Sequence, residues 1–351
     1  MATRSACATA SEPAQAPKMS RVLSDVPVDG EAAHTRCDTA LSKGTQDRAH
    51  CVAHEMTAAI TTPPALLLDT YSLFFRAFHA LPPMSTRAGE PTSALYGLSV
   101  LLLKLLREQR GAALAFALDA PQATFRHDQF EAYKAGRAAT PSPLAAQFGR
   151  LRELLDTLEV PTFRCPGFEA DDVLATLAKR ARDTETRALV VSGDRDLLQL
   201  ARGSVRVHFV GQRGKDALVY DEAAVFARFG VPPEHLPSYV ALIGDPSDNL
   251  PGVPGIGGAT ARQLLTGKRD CQELFASIDA LKSARIREAL IAHREQIYRT
   301  ESLARLREDA PLAPSALPWA PPSPRALHAL GDLFEALEFK SLRARLEKLR
   351  D

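Results

Sequence analysis

The stretch GFEADDV crowds Glu169, Asp171 and Asp172 into four positions at the head of a helical pattern. Val173, Leu174, Leu177 and Ala178 follow at the spacing of one apolar helix face. Like charges held this close repel, and a carboxylate withdrawn from water is costly unless something positive joins it. No lysine or arginine stands within the triplet. The same demand recurs along the chain. Asp69 ends the apolar run LLLD, Asp119 ends AFALD, VVSGDRD delivers Asp194 and Asp196, and IGDPSDN supplies Asp245 and Asp248.

Each acid taken alone has an ordinary structural use. An aspartate after a strand caps a helix or forms a turn. Glutamate and aspartate in a first helical turn favour the helix dipole by roughly 0.3–1 kcal/mol each. Isolated roles leave the convergence of the acids unexplained, because ligands of a parallel sheet bind outside the carboxyl ends of its strands. A hard divalent cation explains it. Magnesium takes oxygen donors, needs few direct carboxylates and keeps its waters. Two such ions about 3.5–4 Å apart activate water and stabilise the leaving oxygen in phosphodiester cleavage.

The elements that position these acids are legible as short apolar runs. ALLLD, ALAFALD, PTFRC and ALVVSGD read as buried parallel strands, with helical patterns at 94–110, 143–158 and 169–182 between them. The alternation predicts an α/β fold with a parallel sheet. From about 221 the pattern is mostly helical; a Pro-rich connector covers 311–324 and a charged helix follows. The expected organisation is a poorly ordered tail at 1–64, an α/β domain at 65–230 and a helical domain at 231–351. The tail lacks periodicity and carries seven acids against six lysines and arginines, unlike a basic transit peptide. Translation starting at Met56 or Met19 is an expectation from that composition.

No run of 18 apolar residues and no secretory pattern is seen, so neither a membrane span nor export is expected. The five cysteines form no C-x-x-C pair, which argues against a zinc ribbon or disulfide framework and fits a reducing compartment. The formal net charge is +1; setting nine acids aside as metal ligands leaves a remainder near +10 (1 plus 9), suited to a polyanion.

LLLDTYSLFFRAFHALPP, GEPTSALYG, FALDAPQATFRHDQFEAYKAGR, GFEADDV, SGDRDLLQL and IGDPSDNLPGVPGIGGATA occur in order, and LFEALEFKSLRARL lies near the C-terminus. Together they resemble the 5′-nuclease domain of bacterial DNA polymerase I, within the flap endonuclease family, in a stand-alone form. The resemblance covers about Ala65 to the C-terminus and implies a PIN-like α/β core, a helical arch at about 120–142 and a helix–hairpin–helix region. It implies a 5′-3′ exonuclease and flap endonuclease that hydrolyses DNA near 5′ ends and single-strand/duplex junctions in replication and repair. It implies Asp69, Asp119, Glu169, Asp171 and Asp172 around one magnesium ion, and Asp194, Asp196, Asp245 and Asp248 around a second, with manganese as a substitute.

By the same resemblance Lys134, Arg137 and Arg126 of the arch act on the scissile phosphate, Tyr133 stacks on a base and Arg76 contacts DNA. Their unspecialised reading is a solvated amphipathic helix, and Arg76 could equally pair an acid. LPGVPGIGGATARQLL matches the family's hairpin, where Gly252, Gly255 and Gly257 would let a DNA phosphate approach the backbone and a potassium ion is implied. Gly258 and Ala259 stand where the family commonly has a charged pair. The resemblance further implies a cytoplasmic, nucleoid-associated monomer, with an RNA primer in a hybrid as a further substrate. A PIN-type ribonuclease and a catalytically silent flap-binding protein are the alternatives; the full set of acids argues against the second.

Overall fold

The computed structural model describes residues 63–211, 218–313 and 319–350. The expected tail lies outside the described residues apart from its last two, as do both start sites. Residues 61–351 form one compact unit.

Apolar, β-branched and leucine-rich runs that are buried on both faces build the centre of the sheet. Its strands are β1 (Ala65–Asp69), β2 (Leu114–Ala117), β3 (Thr162–Phe163), β4 (Ala188–Ser192), β5 (Val205–Phe209) and β6 (Leu218–Tyr220). Their order is β3-β2-β1-β4-β5-β6, parallel from β3 through β5, with β6 antiparallel. The four expected strands are present, although PTFRC yields only a two-residue edge. β5 and β6 were not foreseen: VRVHF interrupts its apolar residues with Arg206 and His208, of which Arg206 is partly exposed and His208 is buried.

Alternation along each strand sends side chains to two cores. Leu66, Leu68, Leu114, Phe116 and Val191 pack beneath α1 (Thr70–Ala80), α2 (Ser93–Glu108) and, after the short α3 (Phe125–Gln129) and α4 (Ser142–Ala145), α5 (Phe148–Thr157). Leu67, Ala115, Ala117, Val190 and Val207 pack against α6 (Ala170–Asp183) on the other face.

That second core continues without a break past residue 230. It takes in residues of α7 (Glu222–Phe229), α8 (Leu236–Ile243), α9 (Gly258–Leu265), α10 (Cys271–Ala276), α11 (Ala284–Ala292) and α12 (Arg294–Ala304). The last helices, α13 (Pro324–Ala336) and α14 (Lys340–Arg350), return to the first core, where Leu330, Phe334 and Leu342 are buried. The second core therefore runs across the expected boundary at 230.

The segment at 120–142 departs from the expected helical arch. Before Ser142 only Phe125–Gln129 is α-helical; Phe130 is extended and Lys134 sits at φ 57 in a turn. The reason is a local core. Tyr133 is buried with Leu250, Leu303 and Ala304, with Phe130 and Val240 packed against them, so the segment is drawn down rather than arched.

Candidate active site and metal centre

The chain winds outward from β1 to β3 on one side, then crosses to β4 on the other. The crevice between β1 and β4 is thus the topological switch point, where α/β sheets bind ligands. Asp69 is the last residue of β1 and Asp194 lies two residues beyond β4. Asp119 follows β2, and Asp171 lies in the first turn of α6.

Asp69 caps α1 through Ser72 N–H at 3.4 Å, so its ordinary structural use is real. Its other oxygen accepts the Ser192 hydroxyl at 2.5 Å. The Ser192 oxygen also accepts the Asp194 N–H at 2.9 Å. Ser192, fully buried at the end of β4, thereby ties the two predicted halves of the site together. Nothing in the composition of SGDRD marks that role; it needs β4 laid beside β1.

The remaining acids crowd the same space. Burial, with Asp194 and Asp119 nearby, pushes the Asp69 carboxyl up to about 7 despite Ser192. Burial together with Asp69 and Asp194 drives Asp171 well above the ordinary carboxylate range. Burial with Asp194, Asp245 and Asp248 does the same to Asp196, and burial also raises Asp194. Asp119, although exposed, accepts the Ala170 N–H at 2.8 Å, docking it on the start of α6. Asp245 accepts the Ser247 N–H and hydroxyl at 2.8 and 2.7 Å, which shapes the IGDPSDN turn.

The acidic triplet does have positive partners, supplied 35 to 46 residues upstream. Arg126 is 1% exposed and forks onto Asp172 at 2.6 and 2.8 Å, with a third contact to Glu169 at 3.2 Å. It also donates to the Leu303 and Arg305 carbonyls. Asp172, wholly buried, additionally accepts the Glu169 and Arg307 N–H groups. Two expectations are corrected here. Asp172 has no oxygen left to offer a metal, and Arg126 cannot reach a scissile phosphate, because each neutralises the other in the protein interior.

Tyr133 is corrected too. Its hydroxyl lies 3.1 Å from Glu169 and 2.9 Å from Asp248, and only 4% of the residue is exposed. Burial, then those two carboxylates, pushes the phenol far above its usual range and keeps it protonated. Its ring carries the Lys134 ammonium at 4.8 Å, so it offers no free face for a base.

Lys134 and Arg137 do reach the cluster. Lys134 Nζ lies 2.9 Å from Glu169 and 3.7 Å from Asp248, and Arg137 donates to Asp248 at 2.9 Å. Burial works against the Lys134 charge, but Glu169, Asp248 and Asp171 overcome it and hold the pKa above that of a free lysine.

These contacts leave Asp69, Asp119, Asp171, Asp194, Asp196 and Asp245 as the open carboxylate set. Among the described residues no three acids close into a tight ligand cage. The set nevertheless fits hard cations that keep several waters. Its donors are all carboxylate oxygens. No side chain or backbone group hydrogen-bonds the Asp171 or Asp196 carboxylate among the described residues, and mutual repulsion raises the crowded pKa values.

Residues 64–230 match the family described as 5′-3′ exonuclease, N-terminal resolvase-like domain, and residues 231–325 match its C-terminal SAM fold. The chain belongs to the 5′-3′ exonuclease family. It is 41% identical to DNA polymerase I of Bacillus caldotenax over 247 residues, which are 70% of this chain and 28% of that protein. The chain spans about a third or less of the length of the curated relatives it matches. Its fold is shared by the zinc-bound T5 5′-exonuclease (TM-score 0.54, 19% identity, 82% of this chain and 100% of that one). It is shared also by the catalytic core of Rad2 in complex with DNA substrate (TM-score 0.55, 13% identity, 82% and 92%).

Two further parts of this member of the 5′-3′ exonuclease family depend on glycine. Arg76 donates to the Gly193 carbonyl at 2.5 Å and lies across that residue; a Cβ there would fall 1.9 Å from Arg76 Nε. Arg76 Nε and Nη1 are buried without partners, so the side chain keeps unused donors beside the acids. Burial lowers its pKa, partly offset by Asp194. Sequence reasoning missed Gly193, although a glycine wedged before an aspartate after a strand is a signal of close approach.

The hairpin loop joins α8 to α9. Gly252 serves the fold rather than a ligand, since a Cβ there would strike the Ile243 backbone at 2.3 Å. Gly255 has φ +79 and lies against Arg285. Gly257 caps α9 and faces open space, so of the three it is the one positioned for a backbone approach by a ligand.

Proposed function

We propose that this member of the 5′-3′ exonuclease family is a divalent-metal-dependent nuclease that hydrolyses DNA near 5′ ends and at the junction of a single-stranded 5′ flap with duplex. The observation that carries the reading is the crowding of Asp69, Asp171, Asp194 and Asp196 at the switch point, where their pKa values are raised by burial and by one another. Carboxylates gathered at such cost call for cations. Asp69, Asp119 and Asp171 would hold one ion, with Glu169 beside them; Asp194, Asp196 and Asp245 would hold another, with Asp248 beside them. Bound magnesium or manganese would supply a nucleophilic water and stabilise the leaving oxygen.

The chain's own residues bind and orient. Lys134 keeps its proton and brings positive charge to the edge of the acids, where a phosphodiester gains charge as it is cut. Arg76, half-buried beside Asp194 with guanidinium donors unused, adds positive charge next to the same acids. Arg137, half exposed, steers the backbone from above. Gly257 opens the hairpin to a duplex phosphate, with potassium as an accessory ion there. The metal-bound state of T5 exonuclease and the DNA complex of Rad2, which share this fold, support the reading. An RNA primer annealed to DNA is a further substrate of the same chemistry, and a monomer suffices because all six open acids come from one chain.

The test is cleavage of a 5′-labelled flap duplex with magnesium, with EDTA, and by Asp171→Ala protein. Cutting at the junction that requires both magnesium and Asp171 is the expected result. Tight flap binding without cutting would replace the reading with that of a silent binding protein.

A further inference from the structure

A cleft of about 430 Å³ opens beside the acids, between α1, α5 and the ends of β2 and β3. Tyr71 and Phe148 form one wall, edge to face with ring centroids 5.6 Å apart. Leu118 lies at the bottom, and Arg152 and Arg164 stand at the rim with Asp156. Tyr71 comes two residues after Asp69, and Leu118 immediately precedes Asp119, so two residues of the cleft are carried by the chain segments that carry two of the acids. Arg164 donates to the Tyr71 hydroxyl at 3.3 Å. Among the described residues neither Arg152 nor Arg164 is paired with a carboxylate, although both are exposed and Asp156 is near.

The sheet order gives this cleft a direction. β2 and β3 lie on one side of β1, while β4 and β5 lie on the other. The helix α8 that begins the hairpin packs on the turn at Asp196–Leu200, which follows β4. Hairpin and cleft therefore flank the acids on opposite sides.

We infer that the cleft is a nucleotide subsite for the displaced 5′ single strand. One base lies against Tyr71 and Phe148, and the adjoining phosphate sits between Arg152 and Arg164. The inference rests on the nuclease reading above and adds where the cut strand goes. The chemistry suits a single strand. Ligand pockets begin at about 300 Å³, which admits one nucleotide. An aromatic face accepts any base, at about 1–3 kcal/mol per stacked base. A guanidinium with no carboxylate to satisfy is a ready phosphate donor. A duplex held at the hairpin and cut over Asp69 sends its 5′ strand away from the hairpin, toward this side.

The test compares binding of a duplex with a five-nucleotide 5′ flap against the same duplex without the flap, in calcium, by fluorescence anisotropy. The Arg152→Ala/Arg164→Ala protein should bind the flap duplex about tenfold more weakly, with a salt slope shallower by about 1. Its affinity for the flapless duplex should be unchanged. A 2-aminopurine at the first flap nucleotide should be quenched by the parent protein and recover its emission with Tyr71→Leu. Equal loss on both duplexes, or no loss on either with an unquenched 2-aminopurine, would overturn the subsite. Should Tyr71→Leu lose its fold, the arginine pair, which is exposed, decides alone. A parent protein that cuts at the junction while the arginine variant keeps full flap preference removes the cleft only; a parent that neither cuts nor prefers flaps removes both readings.

Discussion

Arg126 forks onto Asp172 at 2.6 and 2.8 Å with both side chains sealed from solvent, and this pair fastens the segment after β2 to the head of α6. It is a structural lock, although both residues carry charges that suggest catalysis.

Arg126→Ala should therefore unfold the protein before it slows it. Breaking a buried ion pair from one side leaves the other charge stranded and costs about 3–5 kcal/mol. Urea denaturation should show that loss. An unchanged midpoint together with an abolished cleavage rate would return Arg126 to the catalytic set.

Lys134 should behave in the opposite way. Its ammonium sits at the margin of the cluster, and Glu169 keeps Arg126 and Tyr133 when it is gone. Lys134→Ala should slow cleavage by about 10²-fold or more while the melting temperature moves little. Single-turnover rates beside a melting curve separate the two effects.

The metal-free protein should lose stability as pH rises. The folded Asp69 carboxyl titrates at about 7 against an ordinary value of 3.8. Between those values the folded state keeps a proton that the unfolded chain releases, so stability is fully present below the lower value and lost through the upper one. Each pKa unit corresponds to about 1.4 kcal/mol, so the swing amounts to a few kcal/mol. Asp69→Asn in EDTA should match the parent near pH 4 and exceed it at pH 8. Ser192→Ala, which removes the donor that restrains this shift, should deepen the parent's decline. A parent whose stability is flat from pH 4 to pH 8 would contradict the crowding.

Gly193→Ala should reproduce the loss of Arg76 without unfolding the protein. The added methyl meets the far end of a flexible arginine, which swings away at little cost to the fold. Arg76→Ala and Gly193→Ala should each lower the cleavage rate, and the double variant should be no slower than the worse single one. Multiplying effects would mean that the two act independently.

The sequence by itself determined the strands that end in acid, the parallel sheet and the gathering of nine acids, of which the structure withdraws Asp172 and ties Glu169 and Asp248 to cations of the chain itself. Apolar runs of strand length closed by a carboxylate can be read locally, because burial on both faces and the position of the last residue are properties of a few consecutive side chains. The strand VRVHF escaped that reading because Arg206 and His208 interrupt its apolar run, although His208 is buried by the rest of the fold. Only the tertiary structure decided which charges are working groups and which are mortar. Arg126, Tyr133 and Lys134 lie within nine positions of one another, and their spacing suggests one helix face turned to the substrate. The chain instead breaks at Phe130, because the apolar contact of Phe130 and Tyr133 with Leu250 and Leu303 draws the segment inward. That contact joins residues more than a hundred positions apart, and it seals Arg126 against Asp172 while leaving Lys134 at the edge of the acids. Charge and spacing are local quantities, whereas the solvent exposure that separates a lock from a catalyst is set by what the rest of the chain lays on top.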